Sequence, residues 1–114
     1  MIKRLPVEIE AILENEDISL SIDKNADGEY YAEMEFESPA GEDVVFGYYY
    51  DGTAQGFIKG FQEYAKSFDS DSHAESWIKE RGKNGVPSTI RALIDDAEAI
   101  KEELQTVTSL LTDL

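Results

Sequence analysis

Apolar and polar residues alternate with two different periods along this chain, and the change of period divides it. From Ile18 to Asp51 the period is two. Ile18, Leu20 and Ile22 alternate with Ser19, Ser21 and Asp23, which predicts a strand with one buried face. Asn25-Ala26-Asp27-Gly28 supplies turn chemistry, because Gly tolerates positive φ and Asx side chains bond their own backbone. A second strand is predicted from Glu29 to Ser38, with Tyr30, Ala32, Met34 and Phe36 on one face and Tyr31, Glu33, Glu35 and Glu37 on the other. Ser38-Pro39-Ala40-Gly41 ends it, and Val44 to Asp51, dense in β-branched and aromatic residues, makes a third. Three sequential strands with short connections predict an antiparallel meander.

After Asp51-Gly52-Thr53 the period becomes helical. Ala54, Phe57, Ile58, Phe61, Ala65 and Phe68 share one face, opposite Lys59, Glu63 and Lys66, and Thr53 or Asp51 can cap the first turn. Asp69-Ser70-Asp71-Ser72 interrupts the pattern and opens a shorter helix around Ala74, Trp77 and Ile78, with Lys79, Arg81 and Lys83 suited to its C-terminal dipole and Gly82 to its stop. Gly85-Val86-Pro87-Ser88 is the last turn. Before the strands, Val7 to Glu14 fits a helical stripe and an alternating strand equally well. Its Ala and Glu content favours a short helix, and Pro6 suits the first turn.

The final segment is the most regular. Ile90, Leu93, Ala97, Ile100, Leu104, Val107, Leu111 and Leu114 alternate spacings of three and four, a heptad seam on a helix about 40 Å long. Such a helix must cross the sheet or find a partner, and Ile94 and Leu110 widen the stripe towards core packing. Its e and g positions offer one complementary pair, Asp96 with Lys101, and then Glu103 faces Thr108, thin support for a parallel coiled coil. The expected fold is therefore α+β, a three-stranded antiparallel meander covered on one face by helices, in the order α-β-β-β-α-α-α. No repeat or linker interrupts residues 1–114, so one domain is expected.

Charge changes this picture most. Twenty-five acids against ten bases give −15, with 14 acids and 3 bases up to Asp51 and 11 acids and 7 bases beyond it. That field repels nucleic acid and anionic lipid and attracts basic surfaces. With no cysteine there are no disulfides, thiolate metal sites or thiol nucleophiles. No apolar run is long enough to cross a bilayer, and no apolar segment follows Lys3 and Arg4 as in a signal peptide, so a cytoplasmic location is expected.

Candidate chemistry is sparse. Asp23-Lys24-Asn25-Ala26-Asp27-Gly28 matches the first half of a calcium loop, but Met34 stands where the bidentate Glu is needed and strands flank it. A hairpin turn accounts for the same residues, with a calcium-binding hairpin as the alternative. His73 is the only histidine and sits in a helix-cap neighbourhood without a converging nucleophile, so neither a catalytic triad nor a His-rich metal site is expected. Neither catalytic residues, cofactor nor metal are expected, and the chain reads as a non-enzyme.

Glu33, Glu35 and Glu37 would stand about 6.7 Å apart on one sheet face. That row can imitate every second phosphate of a nucleic-acid strand, spaced about 3.4 Å. Tyr48-Tyr49-Tyr50 alternates faces, so Tyr49 can join Tyr31 as aromatic anchors among carboxylates, as in an interface core with a charged rim.

From Phe61-x-x-Tyr64-Ala65 onward, and most clearly in Trp77-Ile78-Lys79, Gly85-Val86-Pro87-Ser88 and Leu93-Ile94-Asp95-Asp96-Ala97-Glu98-Ala99-Ile100, the chain resembles a family of small acidic proteins from phages and conjugative elements of gut Firmicutes. The resemblance implies a mobile-element setting, in which some small acidic proteins inhibit restriction or CRISPR enzymes. It assigns no functional residues. The functional expectation is a non-catalytic interaction module that docks on a basic protein, a nucleic-acid-binding enzyme among the candidates, without touching nucleic acid itself. Glu33, Glu35, Glu37, Glu42 and Asp43 would supply charge, and Tyr31 and Tyr49 would anchor. The alternative is an assembly module that forms a homodimer through Leu104 and Leu111.

Overall fold

The computed structural model describes residues 5–39, 41–75 and 89–114. Helix α1 (Val7–Asn15) precedes strands β1 (Ser19–Lys24), β2 (Tyr30–Glu37) and β3 (Asp43–Tyr50), followed by α2 (Ala54–Ser67). A short helix, α3, is described over 70–75, and α4 spans Ile90–Thr112. The sheet order is β1-β2-β3, antiparallel throughout, so the expected α+β meander is the observed fold. The expected continuation of α3 around Trp77 and Ile78, its stop at Gly82 and the turn at 85–88 lie outside the described residues.

The ambiguity at the start resolves to helix. Ile9 and Leu13 face the core, and the helix ends in a Schellman motif: the Ile18 N–H donates to the Leu13 carbonyl at 2.9 Å and the Asp17 N–H to Glu14 at 3.0 Å. The left-handed residue this motif requires is Asp17, at φ 57°. In the first hairpin Asn25 Oδ1 accepts the N–H groups of Asp27 and Glu29 at 3.0 and 2.9 Å, and Gly28 takes φ 86°. The Asn25 oxygen is thus committed to the turn, which argues against a cation there, and no described group of three or more His, Cys, Asp or Glu could hold a metal.

The core lies between one face of the sheet and the helices. Ile18 and Ile22 of the β1 segment, Ala32, Met34 and Phe36 of β2, and Val44, Phe46 and Tyr50 of β3 are buried there. α2 brings Phe57 and Phe61 onto this surface, with Phe61 edge-on to Phe46 and Tyr64 stacked on it at 4.3 Å. Thr53 Oγ1 caps α2 by accepting the Gly56 N–H at 2.9 Å, while Asp51 Oδ1 accepts the N–H and hydroxyl of Thr53. The two expected caps therefore act together.

α4 packs against α2 and α1. Its Leu93, Ala97, Ile100, Leu104, Val107 and Leu111 are all buried, so these six positions of the seam pack in the chain's own interior, while Leu114 beyond them is exposed. This corrects the choice of residues expected to hold a dimer. Leu104 and Leu111, at 0% and 1% exposure, are enclosed by the monomer and have no surface with which to hold a dimer. Asp96 is not an e/g partner on a coiled-coil rim either, because its carboxylate is buried and accepts the Ser38 hydroxyl at 2.8 Å.

Candidate interaction surface

The strands that build the core also build its opposite. Side chains alternate across a strand, so each inward residue fixes an outward neighbour. β2 presents Tyr31, Glu33, Glu35 and Glu37 outward, β3 presents Asp43, Val45, Gly47 and Tyr49, and β1 presents Ser19, Ser21 and Asp23. The register sets these in rows: Ser21, Glu33 and Gly47 lie abreast, as do Ser19, Glu35 and Val45, and Glu37 lies opposite Asp43. Every named helix that packs on the sheet serves the inner face, and among the described residues the outer face is uncovered.

Its surface has two parts. Along β2 the three exposed glutamates form a row about 13 Å long, from four rises of about 3.3 Å. Beside it, Tyr31 and Tyr49 pair with ring centroids 4.8 Å apart, and the Tyr31 ring lies over Gly47, where any Cβ would collide with it. Gly47 is a notch that lets Tyr31 lie flat across two strands. Tyr49 and Val45 remain 60% and 54% exposed, a substantial apolar patch next to carboxylates. Of the seven residues expected to meet a partner, six are brought to this one face: Tyr31, Glu33, Glu35, Glu37, Asp43 and Tyr49.

Glu42 is the exception, and its expected surface role is corrected. It is 8% exposed, and its Oε1 lies 2.8 Å from His73 Nε2 on α3. Ser38 organises the same corner, since its Oγ accepts the Glu42 N–H at 2.9 Å and donates to Asp96. His73, Glu42, Ser38 and Asp96 therefore join α3, the second hairpin and α4. The hydrogen bond to Glu42 raises the His73 pKa above its ordinary value, against the opposing effect of burial, with the Glu42 and Asp96 charges adding to the rise. The cluster lacks triad geometry: the described bond of Ser38 Oγ as a donor goes to Asp96, and His73 points at a carboxylate.

A second polar site lies where the end of α1 meets α4. Glu16, Asp17, Glu37, Ser38 and Glu103 border a cleft of about 670 Å³. Loss of solvent raises the Glu103 pKa to about 7, helped by a hydrogen bond with Glu16 and by its charge. The residues bordering the cleft include no cationic group, and their one hydroxyl, that of Ser38, donates to Asp96.

Compared with known proteins, the chain matches no family model, no curated protein and no solved structure.

Proposed function

We propose that this chain acts by binding, and that the outer face of the sheet docks on a basic protein surface. The observation that carries this reading is the convergence of Glu33, Glu35 and Glu37, the Tyr31–Tyr49 pair and exposed Val45 on one face that no described residue covers. A rigid sheet spares these groups the cost of ordering their backbone on binding, and aromatic anchors beside charge are the composition of an interface core and its rim. In its sharper form the partner is a nucleic-acid-binding protein, whose cationic groove would accept the carboxylate row in place of phosphates and so be inhibited. The chain's charge of −15 supports association steered by opposite charge.

The test pairs two variants of equal charge. One carries Glu33→Gln, Glu35→Gln and Glu37→Gln. The other carries Glu8→Gln, Glu14→Gln and Glu102→Gln, all exposed on helices. In affinity capture from lysate at low and high salt, the first should lose the proteins that the native chain retains and the second should keep them. Equal behaviour of the two would reduce the effect to bulk charge and remove the case for this face. The assembly reading is not carried forward, because Leu104 and Leu111 are interior.

A further inference from the structure

We propose that the partner engages through strand addition: an extended basic segment pairs with the free edge of β3 as a fourth strand. The inference rests on the docking role proposed above and names the form its partner takes.

The edge follows from the register. The Ser38 N–H donates to the Glu42 carbonyl at 2.8 Å, which makes Ser38 and Glu42 a hydrogen-bonded pair. Antiparallel pairs alternate, so Phe36–Val44, Met34–Phe46, Ala32–Tyr48 and Tyr30–Tyr50 are hydrogen-bonded too. The backbone groups of Asp43, Val45, Gly47 and Tyr49 then point away from β2. Among the described residues β3 ends the sheet, and none of them bonds to those groups.

Natural edge strands are guarded by Lys, Pro, bulges or shortness. β3 has none of these. It runs eight residues in unbroken register, Asp43 to Tyr50, without a Lys, Arg or Pro. The β1 edge differs. It carries Lys24, and its outward backbone groups belong to Leu20 and Ile22, whose side chains face inward where α1 packs.

Charge selects the occupant. A strand paired with Asp43, Val45, Gly47 and Tyr49 places every second side chain on the outer face, level with Glu37, Glu35, Glu33 and Tyr31 respectively. Those residues lie two strand spacings away, about 9.6 Å, a span that a long basic side chain crosses above Val45. Opposite Gly47 it meets the Tyr31 ring in the notch beside Tyr49, where a cation is attracted to the aromatic faces. A second copy on this edge would bring the two β2 carboxylate rows within three strand spacings of each other, about 14 Å, with −15 on each chain. The same field that discourages self-pairing favours an arginine- or lysine-rich strand.

The test uses the whole chain and a fluorescent peptide of alternating Arg and Val. In the proposed pairing the Arg residues occupy the outer face and their N–H groups bond to β3. N-methylation of the Arg nitrogens should weaken binding at least about tenfold, whereas N-methylation of the Val nitrogens, at the same charge, should change it by no more than about threefold. Amides of Val45, Gly47 and Tyr49 should slow in hydrogen exchange when peptide is bound. Equal weakening by both methylation patterns, or no binding of the unmethylated peptide, overturns strand addition. If both methylated peptides bind like the parent and the Glu33, Glu35 and Glu37 triple variant abolishes binding, the acidic face docks its partner without adding a strand. If the triple variant leaves parent-peptide binding intact, the docking reading itself falls. A dimer of the free protein that Val45→Lys dissociates would show the edge taken by a second copy, against the proposal.

Discussion

The two faces of this sheet are made by the same residues in alternation, yet they obey different rules. On the inner face, Met34, Phe46 and Ala32 lie against α2 and the other helices with almost no exposure, and each atom's position depends on its neighbours. On the outer face, one residue further along, Glu33, Glu35 and Val45 have no described layer above them. Glu37 and Asp43 even lie directly opposite each other, which costs stability. The inner face is arranged for folding; the outer face keeps groups that folding does not need. That difference is the physical basis for the recognition role proposed for the outer side.

Substitutions should expose the contrast in order of size. Phe61→Ala removes a fully buried ring from the inner layer and should cost about 3–5 kcal/mol in urea unfolding. Gly47→Ala is the outer position where stability and surface meet. A Cβ there would fall 2.6 Å from the Ala32 carbonyl oxygen and against the Tyr31 ring, so about 1–3 kcal/mol should be lost, with the near-UV signal of the Tyr31–Tyr49 pair. Were Gly47→Ala neutral, the notch would not be what holds Tyr31 in place.

Acidity should act through the corners beside the sheet. Glu103 and His73 both have raised pKa values in the folded chain, so the fold binds their protons more tightly than the unfolded state. Their contribution is present at low pH and fades as pH rises, for Glu103 between about 4.5 and about 7 and for His73 from 6.5 upward through its raised folded value. The unfolding free energy in urea should fall from pH 5 to pH 8, by about 1 kcal/mol from these two partly exposed groups, and the double variant His73→Gln, Glu103→Gln should flatten that fall. Smaller again, Asp17→Gly should add about 0.5–1 kcal/mol by relieving the left-handed backbone at the end of α1. The three-glutamate Gln variant should stay within about 0.5 kcal/mol of the native chain, as befits exposed residues on a strand face.

Much of the fold was legible because alternation is a local signal. Strands expected at Ile18–Asp23, Glu29–Ser38 and Val44–Asp51 are found within one residue at each end, since Gly28, Gly41 and Gly52 all adopt positive φ at the breaks. Six residues of the outer surface followed from the same parity. Glu42 did not, although parity was available there too: it shares the even-numbered side with Val44 and Phe46 and so belongs inward. Its partner His73 comes from a distant helix, and no local pattern announces a pair closed by tertiary packing. Leu104 and Leu111 show the limit of periodicity. Spacings of three and four describe a stripe to be covered, and cannot say whether the cover is another molecule or α1 and α2.

Tyr48 carries a consequence for the alkaline end of the pH scale. Its hydroxyl donates to the Phe57 carbonyl at 2.8 Å across the junction of sheet and α2, and burial raises its pKa, as it does for Tyr50 and Tyr64. A phenolate at that position would lose its donor and face a carbonyl dipole with the wrong sign. Above about pH 10, where the unfolded phenol ionises, each unit of pH therefore draws the chain towards base-induced melting. Absorbance of ionised tyrosine should then report the opening of the interior, turning these rings into a built-in optical gauge of whether α2 is still seated.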